Sequence, residues 1–144
     1  MVDFYSPSDI LNSVVRDKTT SAYISVGGTV TVTQNGYNKE IQASQDLSVG
    51  AFSLSLGETE DYEVIGISVH FSSSTTQNLT ITQNYTDSNY DTEIKLESLT
   101  AVQNYYSTDT FNIFGSDGQD FTIDITNTGT PAITVYVTVN IKFI

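Results

Sequence analysis

The stretch Ile133-Thr134-Val135-Tyr136-Val137-Thr138-Val139-Asn140-Ile141-Lys142-Phe143 decides the fold. Ile133, Val135, Val137, Val139, Ile141 and Phe143 share one parity, while Thr134, Tyr136, Thr138, Asn140 and Lys142 share the other. Successive side chains of a strand point to opposite faces, so this period of two describes a β-strand with one buried and one wet face. The same pattern recurs upstream. Tyr62 to Ser72 reads as the central strand, with Ile65, Ile67, Val69 and Phe71 on one face and Gly66, Ser68 and His70 on the other. Phe52, Leu54 and Leu56 alternate with Ser53 and Ser55, and Leu79 and Ile81 alternate with Thr80 and Thr82. Ile94 and Leu96 alternate with Lys95 and Glu97; Phe111 and Ile113, then Phe121, Ile123 and Ile125, repeat the rule. Further upstream Ile24, Val26, Val30 and Val32 oppose Ser25, Thr29, Thr31 and Thr33, interrupted at Gly27-Gly28. Asn35-Gly36 marks a two-residue hairpin turn, with a return strand over Lys39 to Ala43.

About eight or nine strands follow one another with polar turn clusters between them. No crossover helix separates them, which excludes a parallel α/β sheet. A sandwich, a jelly roll and a small barrel remain. Apolar faces backed by Thr- and Ser-rich faces are what two sheets packed face to face require. The expectation is all-β: an antiparallel β-sandwich, jelly-roll-like, over residues 21–144.

Residues 1–20 differ. Ser6-Pro7-Ser8-Asp9 is a helix start, with Ser6 as cap and Pro7 at the first helical position. Ile10, Leu11, Val14 and Val15 then fall on one face, and Arg16 and Lys18 sit where a helix C-terminus favours positive charge. This short N-terminal helix or extended arm packs either on its own domain or on a partner, which makes Ile10, Leu11, Val14 and Val15 candidate partner-binding residues.

The 144 residues make one ordinary domain, large enough to hide roughly 70% of the surface of the unfolded chain without a staple. There is no cysteine, which excludes a disulfide scaffold and thiolate zinc sites. The net charge is −12, and Arg16, Lys18, Lys39, Lys95 and Lys142 are scattered. Nucleic acid and anionic membranes are recognised through clustered cations, so both are disfavoured as partners. Neither a basic, apolar leader nor a membrane-length apolar run occurs, so synthesis in a cytoplasm is expected.

Catalytic signals are weak. The single histidine, His70, has no neighbouring motif to hold it as a base or ligand. No serine lies in a Gly-x-Ser-x-Gly turn, and neither Gly27-Gly28 nor Gly115-Ser116-Asp117-Gly118 carries the lysine of a phosphate loop. Glu58, Glu60, Asp61 and Glu63, and Asp87, Asp91 and Glu93, read as charged loops at the ends of a sandwich. Asp87, Asn89, Asp91 and Glu93 alternate as calcium ligands do, but without the glycine and distal glutamate of an EF-hand. The expectation is a chain that is not an enzyme and has no cofactor. Tyr85, Tyr90, Tyr105 and Tyr106, among Asn84, Asn89 and Asn104, form the second candidate contact set. Tyrosine gives large contact area at low entropy cost, and it also stacks on sugar rings.

The order Tyr62–Phe71, a Ser/Thr loop, Asn78-Leu79-Thr80-Ile81-Thr82, Asp91-Thr92 and Asp120-Phe121-Thr122-Ile123-Asp124-Ile125-Thr126-Asn127 resembles the small jelly-roll domains of tailed-bacteriophage virion proteins. The resemblance spans about residues 50–144. It departs from that pattern at Gly115–Asp120, where a Gly-Asp turn is expected. It implies a capsid decoration, head-fibre or head/tail accessory protein, located in the virion, with other virion proteins as partners and a homo-oligomeric state such as a trimer. The alternative expectation is a carbohydrate- or receptor-binding β-sandwich module that uses its Tyr/Asn loops.

Overall fold

The computed structural model describes residues 22–24, 27–100, 102–107, 113–128 and 132–144, and only the backbone of Lys95, Tyr105, Tyr106 and Ser107. The candidate arm residues Ile10, Leu11, Val14 and Val15 lie outside them, as does Phe111. Among the described residues there are eleven strands: β1 (Ala22–Ile24), β2 (Thr29–Asn35), β3 (Asn38–Asp46), β4 (Phe52–Leu56), β5 (Tyr62–Phe71), β6 (Gln77–Gln83), β7 (Thr92–Leu99), β8 (Gln103–Ser107), β9 (Phe114–Gly115), β10 (Phe121–Ile125) and β11 (Thr134–Phe143).

They form two antiparallel sheets. One is ordered β1-β4-β10-β6-β7, and the other β2-β3-β11-β5-β8 with β9 pairing the start of β5. Chain neighbours such as β3 and β4 lie in different sheets, and β11 closes its sheet between β3 and β5. The fold is therefore an antiparallel β-sandwich of the jelly-roll type.

The alternation read from the sequence builds the core. Val135, Val137, Val139, Ile141 and Phe143 of β11 are buried, as are Phe52, Leu54 and Leu56 of β4 and Phe121, Ile123 and Ile125 of β10. Leu79 and Ile81 of β6 and Ile67, Val69 and Phe71 of β5 complete the contact between the sheets. Each such side chain contributes roughly 1.5–3 kcal/mol when fully buried.

Gly27-Gly28 lies between β1 and β2, as the interruption in the alternation implies. Three local readings are corrected. Asn35 pairs with Asn38, so the two-residue loop is Gly36-Tyr37, with Gly36 at φ 61°, which glycine adopts without strain. The return strand runs to Asp46, beyond the expected Ala43.

The third correction concerns parity. Asn140 faces Gly66 and Ile141 faces Val64, which leaves Ile65 as the extra residue of a β-bulge. Ile65 is thereby turned out of the core, 37% exposed, while Tyr62 and Val64 before the bulge and Ile67 after it stay buried. A second bulge, in β7, sets Lys95 opposite Ile81 and Glu93 opposite Thr82. Ile94 is the extra residue there, and Leu96 stands 63% exposed. A bulge changes which residues share a face, and strict alternation cannot register that.

Candidate functional site

The outer face of the six-stranded sheet is a polar platform. Its residues stand in rows across the strands, set by the register. Thr29, Ser44, Tyr136 and His70 make one row, then Thr31, Gln42, Thr138 and Ser68, then Thr33, Glu40, Asn140 and Gly66. The five strands of the main path span about 19 Å at the usual strand spacing. Two hollows lie on this face. One, of about 280 Å³, is lined by residues including Thr31, Gln42, Ser44, Tyr136 and Thr138. The other, about 410 Å³, lies further along and includes Thr33, Asn38, Glu40, Ile65 and Asn140. The bulge at Ile65 places that side chain in the second hollow.

Tyr136 is the exposed aromatic of the long strand β11, 47% accessible. Across the β11–β5 pair its ring meets His70, with centroids 5.8 Å apart and planes inclined at 45°. Cross-strand aromatic pairs of this kind are held by the sheet itself. The platform thus offers hydroxyl and amide groups around the Tyr136 ring.

The second candidate lies in the β6–β7 connection. Tyr85 and Tyr90 line a hollow of about 510 Å³ together with Thr86, Asp87, Thr92 and Gln119. The loop is held from within. The Tyr85 N–H donates to Asp91 Oδ1 at 2.8 Å, and Asp87 Oδ1 accepts from the N–H (3.0 Å) and Nδ2 (2.9 Å) of Asn89. Thr86 Oγ1 donates to the carbonyl of Gly118 at 3.3 Å, tying the loop to the turn before β10. Gly118 has φ +76°, and a Cβ there would come within 2.7 Å of Thr86 Oγ1, so the turn and loop approach closely because residue 118 is glycine.

Asp87 and Asp91, which the sequence sets in a calcium-like alternation, hold the loop backbone. Among the described residues no group of three His, Asp or Glu side chains converges as a metal site. The structure brings Tyr85 and Tyr90 together but places Tyr105 and Tyr106 elsewhere, on β8, opposite Ser68 and Ile67 in the register. The two pairs are thus carried on different elements. Tyr136 was not singled out from the sequence, although it is the sole aromatic on the polar parity of the last strand.

A buried polar cluster underlies this end of the sandwich. Lys39 Nζ donates to Glu58 Oε2 at 2.6 Å, and both side chains are fully buried. Lys39 Nζ also stands 5.9 Å from the centre of the Phe143 ring. Beside the pair, Asp120 Oδ1 accepts from the Tyr62 hydroxyl at 2.8 Å and from the Glu58 N–H at 3.2 Å. Burial raises Asp120 to about 6 against the pull of these two donors, with Glu58 and Asp117 adding repulsion. Burial first, and then the adjoining carboxylates, push the Tyr62 phenol upward. Gln83 Nε2 donates to the carbonyls of Gln119 and Asp120 at 2.9 Å each, fixing the turn that lines the tyrosine hollow. These hydrogen bonds hold the start of β5 and the turn before β10 against each other.

No protein-family model and no curated protein matches the chain. Several solved structures resemble it. A carbohydrate-binding module of family 29 is 13% identical with a TM-score of 0.39, over 85% of this chain and 78% of that one. A carbohydrate-binding module specific for non-crystalline cellulose is 11% identical with a TM-score of 0.45, over 79% of each chain. The CBM22-1 xylan-binding domain of Paenibacillus barcinonensis Xyn10C is 18% identical with a TM-score of 0.35, over 88% of this chain and 87% of that one. The likeness is one of fold, a two-sheet β-sandwich.

The virion reading is corrected on the same finding, because these structures are carbohydrate-binding modules and not virion components. Its basis was the strand pattern around Ile67-x-Val69-x-Phe71 and Leu79-Thr80-Ile81-Thr82. Such alternation is required of any half-buried antiparallel strand and does not separate one sandwich family from another. With it fall the bacteriophage assignment, capsid decoration or head/tail accessory role, virion proteins as partners, the trimer or other homo-oligomer, and the virion as location.

Proposed function

We propose that this chain is a non-catalytic module that binds a glycan chain along the outer face of its six-stranded sheet. The observation that carries the reading is Tyr136 paired with His70 across β11 and β5, on a face whose rows are rich in Thr, Ser, Asn and Gln and also carry Glu40 and Ile65. A sugar ring presents an apolar C–H face edged by hydroxyl groups. Tyr136 offers a surface for the first, and the rows through Ser44, Gln42, Thr138 and Asn140 offer donors and acceptors for the second. Groups on paired strands need little ordering on binding, which limits the entropic cost. The chemistry is that for which the similar structures are named, but the support for the reading is the surface itself.

Titration calorimetry with cellohexaose, xylohexaose and mannohexaose tests it. Binding of at least one, weakened about tenfold by Tyr136→Ala through lost stacking, is expected. No binding to any of the three, or a Tyr136→Ala variant that keeps both the affinity and the stoichiometry of the parent, would refute it.

A further inference from the structure

The hollow of Tyr85 and Tyr90 lies on a different surface from the platform, and its chemistry points to a ligand of its own. Both tyrosines are accessible, at 38% and 69%. They are carried on a loop whose backbone is fixed at Tyr85 by Asp91 and at Tyr90 by the carbonyl of Asp87, 3.0 Å from the Tyr90 N–H. The turn at Gly118 braces the loop from the side. Rings presented on a fixed backbone are ready-made stacking surfaces, and Thr86, Thr92, Asp87 and Gln119 between them supply hydroxyl, carboxylate and amide partners.

The lining carries a carboxylate and no basic residue, and Asp91 and Asp117 lie on the loop and turn that frame it. An anionic ligand would meet repulsion there. The Lys39 end of the platform is linked to the tyrosine hollow through the buried cluster. Lys39 lines the larger platform hollow, its ammonium holds Glu58, the Glu58 amide donates to Asp120, and Gln119 beside it lines the tyrosine hollow.

We infer that the Tyr85–Tyr90 hollow is a second glycan site, selective for uncharged sugars, that makes the module bivalent toward a polysaccharide. The inference rests on the reading of the chain as a glycan binder and adds a separate surface to it. Two weak sites on one module strengthen attachment to a long polymer well beyond either alone, because the second contact forms at high effective concentration.

Four proteins test it: the parent, Tyr136→Ala, Tyr85→Ala/Tyr90→Ala, and the triple variant, each checked for an unchanged far-ultraviolet spectrum and melting temperature. Calorimetry with the three neutral hexasaccharides reads stoichiometry, and gel retardation in hydroxyethylcellulose, xylan or mannan reads polymer affinity. A hexa-galacturonide serves as the charged probe. The expected result is two hexasaccharides per parent chain and one per chain in either partial variant, with the triple variant silent. Retardation should weaken by about tenfold or more in each partial variant. A parent stoichiometry of one that Tyr136→Ala abolishes and Tyr85→Ala/Tyr90→Ala leaves unchanged overturns the second site and keeps the platform. Binding lost only in Tyr85→Ala/Tyr90→Ala keeps the loop site and overturns the platform. Equal binding of the galacturonide at the loop overturns its selectivity, and silence of the parent toward every probe overturns both sites.

Discussion

Replacing Lys39 by methionine is the most informative perturbation of the scaffold. Its ammonium and the Glu58 carboxylate stand 2.6 Å apart with both side chains fully buried, an attraction of ~6 kcal/mol at an effective dielectric of 20. Moving each ion out of water costs several kcal/mol, so the intact pair contributes little net stability. Removing one partner is a different matter, because the other charge stays buried without its counter-ion. Lys39→Met should therefore cost about 3–5 kcal/mol. For a chain of this size that lowers the melting temperature by roughly 10–15 °C. The double variant Lys39→Met/Glu58→Leu should recover most of the loss, since it removes both charges from the core. Urea denaturation at pH 7 of the parent, both single variants and the double variant gives the coupling energy directly. A Lys39→Met variant within about 1 kcal/mol of the parent would refute the reasoning, for the pair would then have to be solvated.

Three further outcomes are expected. Asp120 titrates near 6 in the folded chain, above its unfolded value of 3.8, so its contribution is fully present below the unfolded value and lost as pH rises through 6. The loss is about 1 kcal/mol after allowance for solvent screening of a half-exposed group, and Asp120→Asn should abolish this slope in denaturation midpoints between pH 4 and 7. Gly115→Ala should destabilise by about 1–3 kcal/mol, because its Cβ would meet the buried Tyr62 ring at 2.1 Å; a calorimetric melt would show it. Tyr62→Phe, which deletes the 2.8 Å hydrogen bond to Asp120 and leaves the ring in place, should cost about 1–2 kcal/mol in urea unfolding.

The sandwich was legible because its strands alternate plainly. β4, β6, β10 and β11 could be read residue by residue, since each buries one parity from end to end. β5 and β7 could be read only in part. A single extra residue, Ile65 in one and Ile94 in the other, changes the parity midway, and nothing in the local sequence marks it. The hairpin at Gly36 was displaced by one residue because Asn35-Gly36 and Gly36-Tyr37 both satisfy turn preferences, and the pairing of Asn35 with Asn38 decides between them.

The sites divide in the same way. Tyr85 and Tyr90 are close in sequence on one loop, so a local reading brings them together. Tyr136 and His70 are 66 positions apart and meet only through the β11–β5 register, as do Tyr62 and Asp120 through the meeting of the sheets. Lys39 read as one of five scattered basic residues, at the start of a return strand, and Glu58 as a loop acid. Their burial as a pair depends on which end of the core closes over them.

The central claim is that the outer face of the six-stranded sheet holds a glycan. Its most direct test is a heteronuclear NMR titration of labelled protein with whichever hexasaccharide binds. Amide shift changes are expected at Gln42, Ser44, Ser68, His70, Tyr136 and Thr138, with the outward residues of the opposite sheet, Ser53, Thr80 and Asp124, unmoved. Changes confined to that opposite face, or no changes at saturating sugar, would contradict it.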